Sequence, residues 1–169
     1  HAHTIHPDTK FFLIGRDNPD VHSGSGSTWE LMQTQFDALG ISNVHYIPGL
    51  PRNELITYIQ KASACVFPSY AEALPLSWLE AMSCGKPVVA SNIGWASEII
   101  DNGTNGFLVH PSNQQEFADK VNMLLSDAHL SQRVGKAARL TILERFSTKV
   151  VLDKYLKFYS KVVGKPFES

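Results

Sequence analysis

FPSYAEALPLSWLEAMSCGKPVVAS, residues 67–91, decides the fold. It begins at the end of an apolar strand, Ala64–Phe67, crosses a turn that carries Glu72, and enters a helix over Leu76–Ser83 that carries Glu80. A second apolar strand, Pro87–Ala90, follows at once. Pro75 is read in the first helical turn, where its missing N–H costs nothing and its ring sets φ for the helix. The amides of Leu76, Ser77 and Trp78 are then expected to point outward as unpaired donors at the positive end of a helix dipole. Such an end suits a diphosphate without any glycine-rich loop. Glu72 precedes this anion site. Glu80 lies further into the helix, placed to accept hydrogen bonds from a diol such as a ribose, because a carboxylate only accepts. The plainer alternative makes Glu72 a turn residue and Glu80 a surface charge, with Leu74, Leu76, Leu79 and Met82 facing the core.

Outward from this stretch, strands and helices alternate. Short apolar runs at Phe11–Ile14, Val44–Ile47, Ala64–Phe67, Pro87–Ala90 and Gly106–Val109 read as buried parallel strands. Helices are expected over Trp29–Leu39, Asn53–Lys61, Leu76–Ser83 and Ala96–Ile100, and then over Asn113–Leu125, Leu130–Arg145 and Lys149–Val163. The fold class is α/β, a Rossmann-like doubly wound parallel sheet with C-terminal helices and a ligand crevice at the carboxyl ends of the strands. Gly15 and Arg16, directly after the first strand, stand where they could approach a ligand; a plain strand exit explains them equally well. Residues 17–28 do not follow that strand with fingerprint spacing, so they read as a flexible loop without a phosphate role.

The 169 residues, 43% of them hydrophobic, suffice for one substantial core and are expected to form one domain. Fifteen basic and sixteen acidic residues leave a net charge of −1, which argues against a nucleic-acid surface. Cys65 and Cys84 fall in apolar or helical context and read as buried thiols, which fits a reducing cytoplasmic location. No apolar run approaches the length of a membrane span. His1, His3 and His6 have no partners at zinc-site spacing and mark a helix end or chain boundary. In the last helix Val151, Tyr155, Phe158, Tyr159 and Val162 form an apolar stripe beside Lys149, Lys154, Lys157 and Lys161. Packing on its own domain with a solvated lysine face is the favoured reading, and peripheral contact with an anionic membrane is the other.

With the spacing of Glu72 and Glu80 and their flanks in view, residues 68–91 closely resemble the paired-glutamate segment of retaining glycosyltransferases of family 4, also called group 1. GWASEIIDNGTNGFLV (94–109) is similar to that family's second signature, and NVHYIPGLPRNEL (43–55) to its base-contacting strand and loop. The resemblance implies the C-terminal, donor-binding half of a GT-B fold. It also implies that HPDTKFFLIG (6–15) matches the second strand of that domain, so the first strand and its helix, with the arginine and lysine that clamp the diphosphate, are missing. Position by position, Glu72 would hold and orient the transferred sugar and be the catalytic carboxylate, and Glu80 would bind the ribose. Ala73, Leu74 and Pro75 would line the donor site, the amides of Leu76 and Ser77 would receive phosphate, and Gly49 and Leu50 would line the base pocket. Gly94 and Glu98 would order their loop. The chain departs from the family at Ala73-Leu74, at Gly94-Trp95 in place of a common Gly-Gly, and at Pro48 in place of glycine.

The implied substrate is a nucleotide diphosphate sugar (UDP-, ADP- or GDP-sugar), with no metal and no other cofactor. The implied partners are this donor and an N-terminal acceptor domain. The function expected is transfer of the sugar to a carbohydrate or lipid-linked acceptor, in polysaccharide biosynthesis, with residues 1–169 alone inactive. A sugar phosphorylase or sucrose-type synthase on the same fold, and a nucleotide-binding module without catalysis, are the alternatives.

Overall fold

A computed structural model describes residues 6–164 of the chain; His1 and His3 lie outside them. It has a parallel α/β architecture of Rossmann-like type, arranged in two compact units, His1–Thr57 and Tyr58–Ser169.

In the first unit β1 (Phe11–Gly15) pairs in parallel with β2 (Val44–Pro48), Phe11 against Val44 and Gly15 against Pro48. Asn43 aligns them, its backbone carbonyl accepting from the Phe11 amide at 2.9 Å and its Nδ2 donating to the Thr9 carbonyl at 2.6 Å. The crossover helix α1 (Thr28–Ala38) starts where Ser27 Oγ accepts the Glu30 amide, satisfying a donor that the helix itself leaves unpaired. Its Trp29 stacks on Tyr46 of β2, ring centroids 5.1 Å apart. α2 (Arg52–Lys61) follows β2.

The second unit is a three-stranded parallel sheet in the order β3 (Cys65–Phe67), β4 (Val88–Ser91), β5 (Phe107–Val109). All of β4 is buried, the continuous apolar run expected of a central parallel strand. Against the sheet pack α3 (Leu76–Ser83) and, after the short α4 (Ala96–Ile99), α5 (Gln114–Ser126); α6 (Ala128–Thr141) packs on α3 and α5. α3 buries Trp78, Ala81 and Met82, the i, i+3, i+4 face of a helix, and these join Val88, Ala90, Ile99, Ile100 and Leu108 in one core. α6 can approach because Gly135 faces Gly85. A methyl group at Gly135 would lie 2.2 Å from the Gly85 carbonyl oxygen.

Strand and helix limits shift by a residue or two from the sequence reading, as fraying ends do. The expected helix over Leu130–Arg145 instead starts at Ala128, where the Asp127 carboxylate caps Leu130, and its end passes into a π turn, Ile142–Phe146. α7 (Thr148–Val163) closes at Gly164 in the left-handed region, φ 70°. Of its expected apolar stripe, Val151 is half-buried while Tyr155, Phe158, Tyr159 and Val162 are all more than half exposed, so the favoured reading of packing on the domain holds only for the start of the helix.

Candidate donor-binding site

In the second unit the candidate residues gather around the start of α3. Pro75 is the residue just outside the helix, φ −74° and ψ 106°, rather than a member of its first turn. Its carbonyl accepts the Trp78 amide at 3.1 Å, which corrects the expectation of three free donors. Leu76 and Ser77 precede that first bond, so their amides are the ones the helix leaves for an anion. Both residues are exposed. Glu80 is half-buried and stands four residues after Leu76 and three after Ser77, on the same face as both.

Glu72 is exposed, and one carboxylate oxygen accepts the Ser69 hydroxyl at 3.0 Å. Its backbone is fixed from the other side by the segment after β4. Gly94 sits at φ +52°, and a methyl group there would lie 2.7 Å from the Glu72 carbonyl oxygen. Glycine is required twice over, by conformation and by space. The plainer reading of the helix fails on Leu74 and Leu76, which are 47% and 67% exposed instead of facing the core. Only Met82 of that expected set is fully buried, while Leu79 is partly so.

The loop that follows Ile100 is rigid for identifiable reasons. Asn105, buried, accepts the Asp101 amide through Oδ1 at 2.8 Å and donates from Nδ2 to Thr141 Oγ1 at 2.9 Å. Arg145 donates to the Glu98 carbonyl and lies 3.7 Å from the Asp101 carboxylate. Glu98 thus serves the loop through its backbone.

In the first unit Gly15 and Gly49 come together, the Gly49 amide donating to the Gly15 carbonyl at 3.3 Å. Leu50 follows, half-buried. Gly15 and Arg16 line a pocket of about 250 Å³ with Asp17, Trp29, Met32 and Tyr46. The Tyr46 hydroxyl donates to the Gly15 carbonyl at 3.0 Å. Residues 17–28 are not the flexible loop expected. Asp17 accepts from Ser27 Oγ at 2.5 Å and from the Trp29 amide at 3.0 Å, and Asp20 accepts the Ser23 and Gly24 amides through side chain and backbone. The Ser27 hydroxyl, then the Trp29 amide, hold the Asp17 carboxyl below its ordinary value. Sequence reading missed Tyr46, Asp17 and Ser69 as supports; the Asp-Asn turn chemistry after β1 was the available signal.

Among the described residues no group of three or more metal-ligating side chains comes together, and no helix is long and apolar enough to cross a membrane.

Known proteins resemble this chain in sequence and in fold. The family described as glycosyl transferases group 1 matches residues 2–141. A Campylobacter jejuni N,N'-diacetylbacillosaminyl-diphospho-undecaprenol alpha-1,3-N-acetylgalactosaminyltransferase is 32% identical over 120 residues, 71% of this chain and 31% of its own length. Anabaena HepE in complex with UDP superposes with a TM-score of 0.80 at 27% identity, over 92% of this chain and 42% of that one. The C-terminal domain of a group 1 glycosyl transferase, LpcC, from Francisella tularensis gives 0.77 at 25% identity, over 87% and 74%. The chain spans less than half the length of the curated relatives it matches, 31% of the first and 43% of the second.

Proposed function

The chain belongs to the glycosyl transferases group 1 family, as the C-terminal half of its GT-B fold, and on that premise we propose that it binds the donor for a retaining transfer of a hexose. The donor is a nucleotide diphosphate sugar, and the acceptor a carbohydrate or lipid-linked saccharide held by an N-terminal domain. One observation carries the reading: the amides of Leu76 and Ser77, unclaimed by their helix, follow the turn that holds Glu72 and lie on the same helix face as Glu80. The bond that breaks joins the anomeric carbon to the diphosphate. Charge develops on the leaving phosphate, and fixed amides at a helix end stabilise it without reorganising. Glu72 holds the sugar and Glu80 the ribose.

The exposed stripe of α7 suits a seat on the N-terminal domain, which would cover it, better than a membrane surface.

Calorimetric titration with UDP, ADP and GDP, each with and without glucose, tests the reading. One nucleotide should bind, at roughly micromolar to millimolar affinity. Robust transfer to a defined acceptor by residues 1–169 alone would refute the placement of the acceptor on another domain.

A further inference from the structure

We propose that Trp95 is a pyranose-stacking residue of this site, an assignment that rests on the donor-binding reading above. Gly94 presses on the Glu72 backbone at the approach given above, and consecutive Cα atoms are about 3.8 Å apart. The Trp95 Cα therefore lies within about 8 Å of the Glu72 carbonyl oxygen, less than the span that a tryptophan and a glutamate side chain cover together. The Trp95 backbone is fixed: it stands just outside α4, and its carbonyl accepts the Glu98 amide at 2.9 Å. The indole, by contrast, is 64% exposed.

An indole of that size on the surface is costly to solvate, and it has company. Tyr70 and Leu74 flank Glu72 in the same turn, Leu76 opens α3, and all three are exposed. An acceptor-only carboxylate in a turn that also carries exposed aromatic and apolar residues fits one ligand chemistry well. A pyranose presents hydroxyls at its rim, which Glu72 can take, and an apolar C–H face, which an aromatic ring can cover. Ser69 already orients the carboxylate. A common Gly-Gly would leave this wall bare, so Trp95 adds a sugar contact of this chain's own.

The pyranose comes from the donor or from the acceptor, and the test separates them. Parent chain, Trp95→Ala and Trp95→Phe are titrated calorimetrically with UDP, with UDP-glucose, and with methyl α-D-glucopyranoside in the presence of UDP; ADP and GDP pairs run in parallel. Trp95→Ala should bind the bare nucleotide within about twofold of parent and one sugar probe about three- to tenfold more weakly, with Trp95→Phe recovering most of the loss. Loss confined to the sugar nucleotide assigns the donor pyranose, and loss confined to the glucoside assigns the acceptor pyranose. If Trp95→Ala leaves both sugar probes at parent affinity, or weakens the bare nucleotide equally, the assignment is overturned while the donor site stands. If the parent binds no nucleotide, the donor reading falls and takes this one with it.

Discussion

Gly94→Ala asks whether the second glycine-containing segment positions the Glu72 carboxylate. The new methyl meets two costs. At φ +52° an L-residue is strained by about 1–2 kcal/mol. At 2.7 Å from the Glu72 carbonyl oxygen the methyl overlaps backbone, and overpacking of that kind costs about 1–3 kcal/mol. The neighbour that must give is an exposed turn rather than the core, which favours the lower end, about 2–3 kcal/mol in all. Gly103→Ala is the internal control, since Gly103 has φ +80° and nothing within 4 Å, so it carries the strain alone, about 1–2 kcal/mol. Urea unfolding of both variants isolates the contact as the difference, about 1 kcal/mol, and each kcal/mol should lower Tm by about 2–4 °C. Displacing Glu72 should also weaken the sugar nucleotide more than the bare nucleotide in Gly94→Ala only. Equal destabilisation by the two variants, with unchanged sugar-nucleotide affinity, would refute the argument that Gly94 buttresses Glu72.

Other outcomes follow from the same geometry. Glu80→Ala should weaken the bare nucleotide by about 1.5–3 kcal/mol with little effect on folding, because it removes a charged acceptor from a half-buried helix face; calorimetry and urea melts check both halves. Glu72→Ala should leave the bare nucleotide near parent affinity and depress sugar-nucleotide binding and transfer; loss of both in a titration would make Glu72 a support of the turn. Gly135→Ala pits about 1 kcal/mol of helix propensity against a methyl 2.2 Å from the Gly85 carbonyl oxygen, whose clash at about 1–3 kcal/mol should leave the variant less stable by up to about 2 kcal/mol; a stabilised variant in denaturant unfolding contradicts it. Burial, outweighing nearby Lys86, pushes the Cys65 thiol up from 9.0 to about 11. The native state then holds its proton longer than the unfolded chain, so stability is full below pH 9.0 and lost as pH rises toward about 11. Cys65→Ala should flatten that decline in urea midpoints, and a decline of the same slope in the variant would assign it elsewhere.

The alternation of apolar runs and helical periods located every strand and helix core, because both are patterns within a dozen residues and local sterics impose them. The paired glutamates were legible for the same reason: helix α3, its preceding proline and the spacing from Glu72 to Glu80 are all local. What local pattern could not carry was which groups remain available. The Trp78 amide goes to Pro75, Leu74 and Leu76 face out although their residue type favours burial, and the stripe of α7 beyond Val151 stays more than half exposed. Residues 17–28 look flexible by composition but are held by Asp17 and Asp20, whose partners sit up to a dozen residues away. The contact between Gly94 and Glu72 joins residues far apart in the chain, brought together when β3 and β4 align side by side. Periodicity specifies the face that an element offers, whereas the meeting of two turns depends on the register of the strands that precede them, a property of the assembled sheet.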